Sequence, residues 1–552
     1  MENHASMSHP LHDEGGSIVR FLEDQLCHLR SRTRSTAGAK QPIRLVPPEI
    51  LLRIFFLVLP DDKMYWKGKS SIREDHARSV SQVCRLWRRI CLKSSLFWSQ
   101  ALDWNNYHSM WFKKVIKRTR GQSLDVVLDF YASKLIDWNR SWILVERNIA
   151  AICYRDKFRS FEFHARASSF DAVARTMNRL KSDYLSSLEK VNICIHRQSR
   201  WEFYDPNDDL VDMTLFTDSE TMANQLRVLK LTRISSTFSF QYHNLQILSV
   251  IDLINNRPHV IRWLRILSFM PNLADLTIKG SISDDWAAGG PPMDISLPNL
   301  TTLSLAGSLG KEFGVEAFLF HLIPRNGCNI YFSGRLRKLK PEGDSLFLSR
   351  LTDGFTVWFG RWTSADYRST SLHTCLDANR FIIHNQFGEK PWPGSYFRIS
   401  VGWQTPYIKV SPPWRLSLIS TFSKALLSIL HEPVEKAQKI TLWSCGQDTV
   451  VPWDEFLSQL TSVKTLQLSV RKTYRTKWRK KSKLYGADMV QSILLQLLRA
   501  PVSRDNQDMG TLMPSLQEII ISEQGKIKPL SIDYLHFIRR FRREKMYLQN
   551  VK

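Results

Sequence analysis

Residues 46–98 open with Val46-Pro47-Pro48-Glu49-Ile50-Leu51-Leu52-Arg53-Ile54-Phe55. They close with Val80-Ser81-Gln82-Val83-Cys84-Arg85-Leu86-Trp87-Arg88-Arg89-Ile90, then Leu96-Phe97-Trp98. Pro47 and Pro48 suit the start of a helix, where the N–H that proline lacks has no partner in any case. Glu49 complements the positive end of the helix dipole and can pair with Arg53 one turn on. Apart from Arg53, every position over 50–59 is apolar. A short helix that is apolar all round must be covered on more than one side. So small a unit cannot cover it alone, and the surplus suggests a docking site for another protein.

The rest of the stretch predicts a second helix over 77–92. Val80, Val83, Cys84, Trp87 and Cys91 would form one buried stripe, with Arg78, Arg85, Arg88 and Arg89 on the wet side. Residues 63–76 are charged and read as an exposed loop. Leu96, Phe97 and Trp98 close the helical unit. Upstream, residues 1–16 read as disordered, and 17–41 as a short helix (Ile18, Leu22, Leu26 and Leu29) with a polar linker.

Beyond about residue 105 the texture changes, and segments of the form apolar-x-x-apolar-x-apolar recur. They begin at Phe158, Leu188, Leu226, Leu245, Leu273, Leu300, Val463 and Leu516. The step is 28 residues from Leu245 to Leu273 and 27 from Leu273 to Leu300. Both fit a leucine-rich-repeat period of about 20–29 residues. Other steps are uneven, such as 38 from Leu188 to Leu226. Residues 345–412 break the pattern and read as an irregular insertion or a second subregion. Phe355-Thr356-Val357-Trp358-Phe359, Phe381-Ile382-Ile383 and the run from Tyr396 to Val401 are expected there as strands.

At 552 residues with 43% apolar content the chain can build a sizeable core. The formal charge of +25 allows nucleic acid, anionic membrane or acidic protein as partners. The densest basic run holds Arg471, Lys472, Arg475, Lys477, Arg479, Lys480, Lys481 and Lys483, interleaved with Tyr474 and Trp478. It reads as a solvated loop, a nuclear-import tract or an anion contact with stacking aromatics. The eight cysteines are scattered with no CxxC pair, which favours reduced thiols and an intracellular setting, cytoplasmic or nuclear. Neither a secretory signal core nor an apolar run of membrane-spanning length is present, so no membrane partner is expected.

No catalytic, cofactor or metal signature stands out. Gly307-Ser308-Leu309-Gly310-Lys311-Glu312 superficially resembles a phosphate-binding loop. Leu305 stands where the first glycine is needed, and Glu312 replaces the magnesium-binding hydroxyl. The GxGxxG, HExxH and GxSxG patterns are absent, and no cysteine–histidine spacing suggests zinc. Neither cofactor nor enzymatic activity is expected.

The stretch 46–98 resembles an F-box. The family pattern is Leu-Pro-x-Glu-Ile/Leu-Leu, an apolar helix, a Val-Cys-x-x-Trp helix and a Leu-Trp. Pro47, Pro48, Glu49, Ile50, Leu51, Ile54 and Phe55 match the first part, Val83, Cys84 and Trp87 the second, and Leu96 with Trp98 the third. Val46 takes the usual leucine position, Phe97 interrupts the Leu-Trp pair, and the loop over 60–77 is longer than the compact form. The layout resembles the large F-box families of mushroom-forming fungi. That resemblance implies an α/β fold, with a small three-helix F-box over 44–104. An irregular leucine-rich-repeat-like solenoid for substrate recognition would follow over 105–552. It implies a substrate receptor of a cullin-RING ubiquitin ligase, docked on a Skp-type adaptor through Pro47, Pro48, Ile50, Leu51, Ile54, Phe55, Val83 and Trp87. The target protein is not legible. The alternative is a basic nucleic-acid-binding or nuclear scaffold protein acting outside a ligase.

Overall fold

The structure is a computed structural model. It describes residues 46–59, 72–102, 104, 110–129, 158–166, 188–196, 225–234, 242–253, 257–283, 293–309, 317–325, 327–336, 341–359, 371–377, 380–384, 397–403, 437–444, 457, 460–470, 515–523 and 526–529. The fold is mixed α/β with a mostly parallel sheet. The chain divides into two compact units, Met1–Ala172 and Val173–Lys552.

The first unit holds α1 (Pro48–Val58), α2 (Ile72–Gln82), α3 (Arg85–Lys93), α4 (Ser95–Ala101) and α5 (Met110–Thr119), then β1 (Leu124–Asp129) and β2 (Phe158–Arg166). The second helix expected over 77–92 is in fact two. The chain breaks at Val83 and Cys84, and Cys84 becomes the N-cap of α3: its Sγ accepts from the Trp87 N–H at 3.4 Å. Cysteine is an unusual cap, but it satisfies one of the orphan N–H groups of a helix start. The break turns Val83 and Cys84 outward, so the expected buried stripe keeps only Val80 and Cys91 as core residues. α2 also begins at Ile72, inside the segment 63–76 that was expected to be loop.

Trp98 anchors this unit. Fully buried, it donates Nε1–H to the Cys91 carbonyl at 2.7 Å. Its ring meets Phe97 edge-on at 5.3 Å and Trp111 at 6.0 Å. Trp104 does the same for the strands. It donates to the Asp125 carbonyl at 2.9 Å and packs on Phe158. β1 and β2 pair in parallel, with Val126 opposite Phe161 and Leu128 opposite Phe163, all buried.

The second unit holds β3 (Lys190–His196), β4 (Val228–Thr232), β5 (Ile247–Ile251), α6 (Val260–Ser268), β6 (Asp275–Lys279), β7 (Ile295–Leu297), β8 (Thr302–Leu309), α7 (Ala317–His321), β9 (Leu322–Pro324) and β10 (Asn329–Leu336). It continues with α8 (Pro341–Phe359), β11 (Ser371–Asp377), β12 (Arg380–His384), β13 (Phe397–Trp403), β14 (Lys439–Ser444), β15 (Thr465–Val470), β16 (Glu518–Glu523) and β17 (Lys526–Pro529). Within this unit the sheet order is β3-β4-β5-β6-β8-β10-β13-β12-β11-β14-β15-β16-β17, and β7 pairs with β9 separately.

All eight recurrent motifs fall on strands, and within the second unit registration aligns those of neighbouring strands. Leu229, Leu248, Leu276, Leu303 and Ile330 stand side by side, as do Leu231, Val250, Ile278, Leu305 and Phe332. Both rows are buried. At Leu226, Leu245, Leu273 and Leu300 the motif's first apolar residue precedes the strand and is also buried. Alternation sends Lys230, Ser249 and Thr277 to the opposite, half-exposed face.

The backbone repeats as well. One carbonyl before each strand accepts two successive N–H groups from the next segment. Glu189 serves Arg227 and Val228, Arg227 serves Gln246 and Ile247, Gln246 serves Ala274 and Asp275, and Ala274 serves Thr301 and Thr302, at 2.8 to 3.1 Å. Gln438 and Lys464 do the same further on. At the strand ends Arg233, Asp252 and Gly280 take equivalent left-handed conformations (φ 57, 53 and 59). Buried Ser281 closes this edge. Its Oγ donates to the Lys279 carbonyl at 2.8 Å and accepts from the Leu253 N–H at 3.0 Å, while its carbonyl receives Trp263 Nε1–H.

The segment 355–359, expected as a strand, is the last turn of α8. Leu351, Phe355, Trp358 and Phe359 are buried at helical spacing, and Phe355 meets Phe332 of β10 edge-on at 5.1 Å. The strands expected around Phe381 and Phe397 are present as β12 and β13. There the sheet order reverses locally, with β12 antiparallel to both neighbours.

Gly280 tests this architecture. A Cβ there would lie 2.4 Å from Asp252 Oδ1, on a backbone with φ +59. Gly280→Ala should therefore destabilise the second unit by about 1–3 kcal/mol, read as a lowered denaturation midpoint. Asp252→Ala in the same chain should recover part of the loss.

Candidate functional site

α1 is divided lengthwise. Leu51 and Phe55, 2% and 1% exposed, face inward with Leu59. Phe55 packs on Trp87 at 4.7 Å and on Phe97 at 6.2 Å, and Phe56 on Phe97 at 6.1 Å. The helix thus rests on α2, α3 and α4. Ile50, Ile54 and Leu57 point the other way and are 49%, 38% and 80% exposed. They stand at i, i+4 and i+7, so they share one stripe of about 60° on the helix. Pro47 and Pro48 are exposed at its start, and Glu49 and Arg53 beside it. Burying one such aliphatic side chain is worth roughly 1.5–3 kcal/mol, so a partner covering all three would gain substantially.

Of the eight residues singled out from the sequence, Pro47, Pro48, Ile50, Ile54 and Val83 lie at the surface. Leu51 and Phe55 belong to the core, so their effect on a partner would run through the placement of α1. Trp87 is half-buried. Its Nε1–H is shielded from solvent and finds no acceptor among the described residues, which makes the junction of α1 and α3 less than fully satisfied. Leu57 was missed, although its position seven residues after Ile50 was a readable signal. Leu92 and Leu96 are exposed too. The tract from Arg471 to Lys483 lies outside the described residues.

A second feature lies in the other unit, at the edge where the strands begin. Glu189, Gln225, Arg227, Asn244, Gln246, Asn272 and Asn299 line an open polar depression of about 560 Å³. Part of this lining is structural. Asn272 donates its amide to the His243 carbonyl at 2.9 Å, and Asn299 to the Pro271 carbonyl at 3.2 Å. Each asparagine thereby ties its own segment to the preceding one.

The thiols differ by environment. Burial pushes Cys91 and Cys328 up to about 12, whereas Cys84 is exposed at the α3 cap. Among the described residues no helix is long and apolar enough to cross a membrane. Comparison with protein-family models, with curated proteins and with solved structures finds no match.

Two outcomes follow from this geometry. Ile54→Asp should shift unfolding by no more than about 1 kcal/mol because the site is solvated. Phe55→Ala should cost about 3–5 kcal/mol, and the two can be compared by chemical denaturation. Peptide mapping after brief alkylation near neutral pH should find Cys84 modified well before Cys91 or Cys328, because only the thiolate reacts.

Proposed function

We propose that this chain is the substrate-receptor subunit of an SCF-type cullin-RING ubiquitin ligase. Its F-box, residues 44–104, comprises α1, the broken pair α2–α3, and α4, and docks on a Skp-type adaptor. The leucine-rich-repeat-like region over 105–552 holds the target protein. The protein works inside the cell, in cytoplasm or nucleus, without an active site of its own. It raises the local concentration of a target near the ligase's catalytic partner.

One observation carries the reading: a solvent-facing apolar stripe, Ile50, Ile54 and Leu57, on a helix whose opposite face is fully used. Contiguous exposed apolar surface of this kind marks interaction sites. The sequence match at Pro47, Pro48, Glu49, Val83, Cys84 and Trp87 says which partner to try first. The recurring parallel strands supply an extended surface of the sort that repeat proteins use for recognition.

The test is co-purification of the full chain with a Skp-type adaptor. Wild type should bring the adaptor down, and the double variant Ile50→Asp with Ile54→Asp should lose at least tenfold in affinity while melting as wild type does. Undiminished adaptor binding by that folded variant would refute the assignment of this stripe.

A further inference from the structure

The first unit carries a second unpartnered surface, on α5. The helix sequence is Met-Trp-Phe-Lys-Lys-Val-Ile-Lys-Arg-Thr and contains no acidic residue. Phe112, Val115 and Thr119 are buried and define its inner face. Lys113, Lys114, Lys117 and, one residue past the helix, Arg120 are exposed. Lys113 and Lys117 stand at i, i+4 on one face, and Arg120 follows about 10 Å along the axis from Lys113, one residue past the helix and in a left-handed conformation (φ 50). None of these four cations has a carboxylate within ion-pair distance among the described residues.

This placement is unfavourable for the isolated helix. Lys113 sits at the end of the first turn, where the helix dipole disfavours positive charge, whereas Lys117 and Arg118 in the last turn complement it. Lys113 with Lys117, and Lys114 with Arg118, are like charges at i, i+4, which repel. Helix stability therefore does not account for Lys113 and Lys114, nor for the i, i+4 like-charge pairs; an anion laid along the helix would.

We infer that Lys113, Lys114, Lys117 and Arg120 contact the phosphodiester backbone of a double-stranded nucleic acid. Lysine serves phosphate as a point charge and needs no built pocket. A row of cations along about 10 Å matches an anion that is itself a row of charges. Single strands are disfavoured at this helix because neither nearby tryptophan, Trp111 or Trp98, has a ring free to stack on a base. The Trp111 ring is covered by the Arg118 guanidinium at 5.0 Å and by Arg78 at 6.0 Å, and Trp98 is buried under Arg118 at 4.5 Å. A folded acidic protein would need an apolar centre to the interface, and among the described side chains of α5 no large apolar one is fully exposed, Ile116 being half-buried. The same lack disfavours insertion into a lipid surface. Binding is thus to the backbone, independent of sequence and strongly salt-dependent.

The experiment titrates the full chain into a labelled mixed-sequence DNA duplex and, separately, an RNA duplex, over a series of salt concentrations. Poly-glutamate is a further probe. The variant is Lys113→Gln with Lys114→Gln and Lys117→Gln. Relative to wild type, its log–log salt slope should fall in magnitude by about 3, near 0.9 for each phosphate that is no longer neutralised. Its affinity at physiological salt should fall at least tenfold on one or both duplexes, and the duplex whose binding weakens more identifies the ligand. The melting temperature of the variant should be unchanged or slightly higher, since like charges are removed. Three results would overturn the inference: no duplex binding by wild type, an unchanged slope and affinity in the variant, or poly-glutamate binding as tight as that of the duplexes.

Discussion

α1 has two apolar faces and scaffolding for one. Leu51, Phe55 and Leu59 use up what α2, α3 and α4 can cover, and Phe55 in particular sits between Trp87 and Phe97. Arg53 aside, the segment 50–59 has no polar residue to turn outward, so Ile50, Ile54 and Leu57 face water. This constraint follows from the sequence before any partner is considered. Apolar surface in water is unfavourable in proportion to its area. The proposed receptor role is the reading that gives this stripe an occupant.

The second unit is organised by a different rule, shared carbonyls. One acceptor before each strand takes two N–H groups from the next segment, and Asn272 and Asn299 add a side-chain tie to the segment before. Parallel strands need a connection long enough to return the chain, and these ties fix where each strand starts. Registration then stacks Leu229, Leu248, Leu276, Leu303 and Ile330 into one buried row. The equivalent left-handed positions Arg233, Asp252 and Gly280 end the strands in the same way. Only Gly280 is glycine, and the Asp252 carboxylate fills the space that a Cβ would take.

Strand positions were legible because apolar-x-x-apolar-x-apolar encodes two facts at once. The last two apolar residues alternate into the core, and the first is buried in the turn that leads in, as at Leu273 and Leu300. The same habit misled at Phe355 to Phe359, where aromatic and β-branched residues suggested a strand. A wider window shows Leu351, Phe355, Trp358 and Phe359 at helical spacing, and packing of Phe355 on Phe332 settles the matter. The break at Val83 and Cys84 was hidden for another reason. Val80, Trp87 and Cys91 keep a helical rhythm across it, and cysteine gives little hint of a cap. In the candidate site, the outward stripe at Ile50 and Ile54 was readable from surplus hydrophobicity. Which apolar residues would be core, namely Leu51 and Phe55, depended on where α3 and α4 came to rest.

The central claim is that one stripe of α1 is open in the free chain and closed in the complex. Hydroxyl-radical footprinting, with and without a Skp-type adaptor, measures this directly. The account predicts that Ile50, Ile54 and Leu57 are oxidised in the free chain and protected by the adaptor, while Leu51 and Phe55 stay unmodified throughout. Equal oxidation of Ile50, Ile54 and Leu57 in both samples, at adaptor concentrations that saturate a known receptor, would contradict it.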